Sequence, residues 1–180
     1  EPSAGELYEW LEMKRNEVDP ATGKRILNAE QFEIVRRVTD RLVEELRAES
    51  AHTVGATEPL RWLLHGRPGV GKSHTIKVIM QLFKEARKYT LGEEYQVASL
   101  QAVTATLLGG ETLHHILGIN KYNRGDVNVA KEKVAKRWLP TRWLIIDEVS
   151  MISAKFLAEI DCRLRTLMRE RGTYLVDGNG

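Results

Sequence analysis

An α/β fold, a parallel sheet flanked by helices, is predicted for this 180-residue chain by three observations. Short apolar runs alternate with stretches whose apolar residues recur every three or four positions. A glycine-rich turn, Gly66 to Gly71, joins one such run directly to a helical stretch, and a later run ends in two adjacent carboxylates, Asp147-Glu148. Strands alternating with helices imply parallel pairing, because a parallel connection needs a crossover long enough to hold a helix.

Taken in order, Leu7, Trp10 and Leu11 have helical spacing within about Ser3 to Asn16, and Asp19-Pro20-Ala21-Thr22-Gly23 breaks the pattern. Residues 1–23 therefore read as an N-terminal helical extension, and 24–180 as the domain that carries the motifs. From Asn28, the residues Phe32, Val35, Val38, Leu42 and Leu46 make one apolar stripe on a helix reaching about Ala48. A loop from about Ser50 to Glu58 leads into Leu60-Arg61-Trp62-Leu63-Leu64-His65, a short apolar run expected to be a buried strand. Ile76, Ile79, Met80 and Phe83 mark a helix ending near Lys88. Tyr95 to Leu100 reads as a second strand, a basic helix is expected from about Asn128 to Trp138, and Trp143 to Asp147 reads as a third strand. A last helix starts after Ser153, a suitable N-cap, with Phe156, Ile160, Leu164 and Leu167 on one face.

Composition narrows the function classes. With 42% hydrophobic and 29% charged residues, the chain is neither fibrous nor mainly disordered. Its length suits one ordinary domain, or one plus an appendage. A net charge of +2 excludes a polybasic binder, so a nucleic-acid surface has to come from local clustering of Lys and Arg. The single cysteine, Cys162, excludes an internal disulfide and a cysteine-based zinc site, and is expected to be buried or half-buried. No apolar run approaches the roughly 20 residues that span a bilayer, so no membrane association is expected. The opening Glu1-Pro2-Ser3-Ala4-Gly5 has no secretory-signal pattern and no starting Met, which reads as a fragment or trimmed chain.

Gly66-Arg67-Pro68-Gly69-Val70-Gly71-Lys72-Ser73 matches G-x-x-x-x-G-K-[ST] in full, between an expected strand and an expected helix. Glycines let the backbone curl so that successive N–H groups face phosphates, and the helix beginning at Lys72 adds its positive N-terminal end. Lys72 then reaches the β- and γ-phosphates, the Ser73 hydroxyl coordinates Mg²⁺, and His74 completes the nucleotide-binding stretch. A chance glycine-rich turn would show this pattern in about one random chain of this length in a hundred or more. The chain thus reads as a P-loop NTPase.

Asp147 and Glu148 follow Trp143-Leu144-Ile145-Ile146 at the carboxyl end of a strand, where doubly wound sheets bind ligands. Asp147 is expected to hold Mg²⁺ through its outer shell, and Glu148 to orient and deprotonate the attacking water. Alone, the pair would equally suit a polar strand end entering a turn.

Together these motifs resemble the petite-integration-frequency type of superfamily-one DNA helicases. Asp147-Glu148-Val149-Ser150-Met151 is similar to that family's motif II, the glycine loop to its motif I, and Leu27-Asn28-Ala29-Glu30-Gln31 to its Q motif. Ala102-Val103-Thr104-Ala105 and Leu108-Gly109-Gly110-Glu111-Thr112-Leu113-His114 resemble its single-strand-contacting motif and the segment after it. The likeness covers roughly residues 24 to 170. It implies an incomplete RecA-like first motor domain that uses ATP and Mg²⁺, works as a monomer on single-stranded DNA, and moves 5′ to 3′. It also implies roles in repair, recombination and telomere maintenance, in the nucleus or mitochondrion. Two departures stand out. Leu100-Gln101-Ala102 replaces the usual Pro-Thr-Gly, which leaves Gln101 to contact a phosphate. The 180 residues also lack the family's Gly-Asp-x-x-Gln motif and the second motor domain with its phosphoryl-stabilising arginine, so slow turnover is expected.

The remaining signals have competing readings. The resemblance assigns Gln31 to adenine, yet Asn28 and Gln31 also have capping-box spacing. Thr104, His114 and His115 are candidate single-strand contacts; the histidines also suit a polar loop end, without the neighbours a metal site needs. Lys121, Arg124, Lys131, Lys133, Lys136 and Arg137 could line a DNA backbone or simply face solvent.

Overall fold

The computed structural model describes residues 2–52, 60–67, 69–119 and 134–175, with side chains through 167. The chain divides into two compact units, Glu1–Tyr89 and Thr90–Gly180.

The first unit is helical. Helix α1, Ala4–Asn16, is opened by a capping box: Ser3 Oγ accepts from the Glu6 N–H at 3.3 Å, and the Ser3 N–H donates to Glu6 Oε2 at 2.6 Å. Its buried face is Leu7, Trp10 and Leu11, the residues singled out by spacing. A tight turn at Asp19 to Lys24 is closed by an isolated antiparallel bridge between Val18 and Arg25. Helix α2, Ala29–Ser50, buries Val35, Val38, Leu42, Val43 and Leu46 and packs against α1. Helix α3, Lys72–Gln81, widens into a π turn over Leu82–Ala86, which buries Leu82 and Phe83 in succession. The π turn packs against α1, where the Trp10 indole N–H donates to Glu85 at 2.9 Å.

One expected element is absent. Residues 60–65 form no strand: Leu60, Trp62 and Leu63 are 41%, 47% and 71% exposed, and the segment carries no ladder. An apolar run specifies burial, not pairing, and becomes a strand only beside another strand's free N–H and C=O groups. Instead the Arg37 guanidinium lies over the Trp62 ring, 5.2 Å from its centroid.

The second unit holds a three-stranded sheet in the order β2-β1-β3, parallel throughout. Strand β1 is Tyr95–Ser99, β2 is Glu111–Thr112 and β3 is Trp143–Asp147. All five β1 residues are buried, as befits a central parallel strand. A short helix α4, Ala102–Leu107, connects β1 to β2, and α5, Leu113–Ile116, follows β2 directly. The last helix, α6, is Ala154–Leu175, and the Phe156 N–H donates to Ser153 Oγ at 3.2 Å, so the serine caps it. Ala98, Leu113, Ile116, Leu117, Trp138 and Ile160 form the core, with Phe156, Leu164 and Leu167 of α6 packed on it. Trp138, in a helical turn over 134–138, also donates its indole N–H to the Ile116 carbonyl at 2.8 Å. Residues 128–133 of the expected basic helix lie outside the described residues. Cys162 is exposed rather than buried, because α6 turns Ile160 and Leu164 inward and leaves position 162 on the outer side.

Candidate nucleotide and nucleic-acid site

The phosphate loop leads into the N-terminus of α3. Gly69 and Gly71 have φ of +79° and +84°, left-handed conformations in which a side chain would be strained. Gly66 is tight for another reason, since a Cβ there would lie 3.0 Å from Val70 Cγ2. Pro68 lies outside the described residues. No side chain caps α3, so its first N–H groups have no capping acceptor, as suits an anion-binding helix end. The Lys72 ammonium donates to the carbonyls of Gly66 and Arg67, at 3.0 and 3.1 Å, which folds its stem across the loop. Ser73 is exposed at the first turn. These residues fit the polyphosphate of ATP: narrow backbone curvature, one ammonium and a helix end.

Residues 26 to 31 are hydrogen-bonded to this loop. Gln31 Oε1 accepts from the Asn28 N–H at 3.0 Å, and Asn28 Oδ1 accepts from the Gln31 N–H at 2.9 Å, so the capping box expected from spacing forms. The same amide donates through Nε2 to the Val70 carbonyl at 3.2 Å. His74, exposed on α3, donates from Nε2 to the Ile26 carbonyl at 2.8 Å. Of the two readings of Gln31, the capping box is formed, and the side chains of Gln31 and His74, both expected at the nucleotide, are bonded here to the protein backbone.

Within the second unit, one edge of the sheet gathers the other candidates. Ser99 is the register partner of both Thr112 and Asp147. The segments after β1, β2 and β3 therefore leave the sheet at a common carboxyl edge. That edge bears Gln101 and Thr104, then His114 and His115, then Asp147 and Glu148. Asp147 is 8% exposed and its Oδ1 accepts from the Glu148 N–H at 2.9 Å. Glu148 has φ +53° and ψ +42°, a left-handed turn that takes its carboxylate out of the strand's alternation into solvent. Such a conformation costs a non-glycine residue about 1–2 kcal/mol. The Ser73 hydroxyl in the first unit and the Asp147 carboxylate in the second are each, taken alone, the kind of hard oxygen donor suited to Mg²⁺.

The four candidate DNA contacts differ. Gln101 is exposed and begins α4 without a side-chain cap, beside Val103 and Leu107, which are 75% and 73% exposed. Thr104 is half-buried. His114 stacks on Phe156 with centroids 4.6 Å apart. His115 is exposed and paired through Nδ1 with Glu111, which Arg137 also engages. Hydrogen bonds, from Arg137 foremost and from the His115 ring, hold the Glu111 carboxyl below its usual range. The sequence marked Phe156 as a helix-face residue and Arg137 as one of a basic cluster, but nothing in it paired them with His114 and Glu111, which are distant along the chain. Lys121, Arg124, Lys131 and Lys133 lie outside the described residues.

The profile of the PIF1-like helicase family matches residues 26–178. The chain belongs to this family. It is 31% identical over 114 residues to the ATP-dependent DNA helicase PIF1 of Candida albicans, 61% of this chain and 12% of that protein. It is 29% identical over 108 residues to the Danio rerio protein of that name, 58% of this chain and 16% of the other. For the Saccharomyces cerevisiae protein it is 27% over 133 residues, 71% and 14%. The matches thus span less than a fifth of these relatives' own lengths. No solved structure matches the chain. Membership of the PIF1-like family makes the fold that of a P-loop NTPase, of which the parallel sheet and helices are an incomplete version. Among the described residues no helix is long and apolar enough to cross a membrane.

Proposed function

We propose that this stretch is the nucleotide-binding part of an ATP-dependent DNA helicase, coupling Mg²⁺-ATP hydrolysis to movement along single-stranded DNA. The observation that carries the reading is the shared carboxyl edge, where the acidic pair and the segments resembling the strand-contacting motif adjoin through the register of Ser99 with Asp147 and Thr112. A chemical change sensed at Glu148 then has a short route to whatever touches Gln101 and Thr104.

In this reading, the loop amides and the α3 N-terminus bind the phosphates, and Lys72 exchanges its two carbonyl partners for phosphate oxygens. By resemblance, Ser73 and Asp147 are the residues that would hold the metal. Mg²⁺, when bound, would neutralise charge building on the phosphates. Glu148, free of the strand's alternation, takes the proton of the attacking water. By resemblance the direction is 5′ to 3′ and the setting is repair, recombination and telomere maintenance. The 180 residues are expected to act as a monomer and, alone, to bind nucleotide but turn it over slowly, because an arginine finger is worth about 10³–10⁵ in rate.

The test is titration of a fluorescent ATP analogue with Mg²⁺ into the chain and into Lys72→Ala, with and without a single-stranded oligonucleotide. Binding that needs Lys72 and shifts with the oligonucleotide is expected. An affinity unchanged in a folded Lys72→Ala would refute the nucleotide reading, and indifference to the oligonucleotide would leave a nucleotide-binding domain without the DNA coupling.

A further inference from the structure

The geometry points to Gln31 as a positioning residue for the phosphates, acting through the peptide between Val70 and Gly71 and independently of any base. This inference rests on the nucleotide-binding reading of the loop.

A trans peptide is planar, with its carbonyl and N–H pointing in opposite directions. Whatever holds a loop carbonyl on one side therefore aims the following N–H to the other. Two consecutive peptides of the phosphate loop are held in this way. The Gly71 carbonyl accepts from the Thr75 N–H at 3.0 Å and from Thr75 Oγ1 at 3.1 Å, which are bonds of the helix itself. The preceding carbonyl, that of Val70, accepts from Gln31 Nε2 at 3.2 Å, across 39 positions of sequence, and the same nitrogen reaches the Gly71 carbonyl more weakly, at 3.5 Å. Gln31 thus aims the Gly71 N–H away from α2.

The Gln31 amide is itself fixed. Its Oε1 accepts from the Asn28 N–H, so Nε2 is turned to the loop carbonyls, that of Val70 nearest. Ile26, two residues before Asn28, is held to α3 by His74. The segment that bears Gln31 is therefore tied at both ends, to the Val70 carbonyl and to the first turn of α3. Gly71 permits the approach, since a Cβ there would overlap the Gln31 amide nitrogen. A preorganised N–H costs no reorganisation when an anion arrives, so its loss is felt as affinity.

Inorganic tripolyphosphate, which has no base, separates this role from recognition of adenine. Calorimetric titration of Mg²⁺-tripolyphosphate and Mg²⁺-ATP into the full chain, Gln31→Ala and Asn28→Ala is the experiment. Asn28→Ala removes the acceptor for the Gln31 N–H and weakens the helix cap, but leaves both side-chain bonds of Gln31 in place. Gln31→Ala is expected to weaken tripolyphosphate roughly two- to tenfold, the worth of one hydrogen bond, with Asn28→Ala near wild type. Weakened ATP with unchanged tripolyphosphate in Gln31→Ala would overturn the inference and leave base recognition alone. Equal weakening in Asn28→Ala would also overturn it, in favour of a helix-cap effect. A wild-type chain that binds neither ligand would bring down the nucleotide reading along with it.

Discussion

Gly109 and Gly110 precede β2 side by side, yet the structure needs each for a different reason, and replacing each with alanine separates the two. Gly109 has φ +68°, and its nearest neighbour for an added Cβ is Leu91 Cδ2 at 3.6 Å, an ordinary contact. Gly110 has no unusual φ, but a Cβ there would overlap the Val97 carbonyl oxygen and lie 2.8 Å from the Val97 carbonyl carbon and 3.1 Å from its Cβ. Those atoms belong to β1, buried along its whole length and paired on both sides, so they cannot swing aside as a flexible side chain would. Alanine at 109 therefore costs about 1–2 kcal/mol, the strain of a left-handed non-glycine residue. Alanine at 110 has to push β2 off β1. Overpacking of about 1–3 kcal/mol then adds to weakened ladder bonds at about 0.5–1.5 kcal/mol each, for roughly 2–4 kcal/mol in all. Urea unfolding followed by circular dichroism reads the difference, with the midpoint of Gly110→Ala lower by about 1–2 M for a slope near 2 kcal/mol per M. A Gly110→Ala midpoint within error of wild type, or above that of Gly109→Ala, would show that Val97 and Gly110 do not approach as described.

Trp138→Phe deletes the indole N–H and leaves the buried Ile116 carbonyl without that donor, so a loss of about 1–3 kcal/mol is expected in the same unfolding assay. A change below about 0.5 kcal/mol would mean another donor already serves that carbonyl. On α2, hydrogen bonds from Arg36 and then Arg37 lower the exposed Glu33 carboxyl to about 2. The folded value lies below the unfolded one, so this contribution is present above the ordinary carboxylate pKa and is lost as pH falls through the folded value. An NMR titration should place the Glu33 midpoint well below the usual carboxylate range and move it upward in Arg36→Gln; identical midpoints in the two proteins would remove Arg36 as the cause.

The long helices were legible because their signal is local, whereas the short ones at Ala102–Leu107 and Leu113–Ile116 were not foreseen. Leu7, Trp10 and Leu11, the stripe from Val35 to Leu46, and Phe156 to Leu167 all repeat at the helical period, and the caps Ser3, Asn28 and Ser153 sit where their hydrogen bonds need them. Strand β3 was equally legible, as an apolar run ending in charge. The run at 60–65 is also apolar yet formed no strand, because pairing depends on a neighbour that the segment does not encode, and it lacks the β-branched residues of Trp143–Asp147. Strand β2, two residues long, was too short for any period to show.

The site divides along the same line. Sequence alone marked the glycine-rich loop, the acidic pair and the family, because such motifs rest on particular residue types at fixed spacing along one segment. Tertiary structure decided what those segments touch. Only folding brought the Gln31 amide to the Val70 carbonyl, stacked His114 on Phe156, gathered Arg137 and His115 on Glu111, and set Ser99 beside Asp147. Each of those contacts joins residues whose separation in sequence is arbitrary, apart from the i, i+4 pair of Glu111 and His115. A hydrogen bond or ring stack depends on distance in space, and no periodicity along the chain records it.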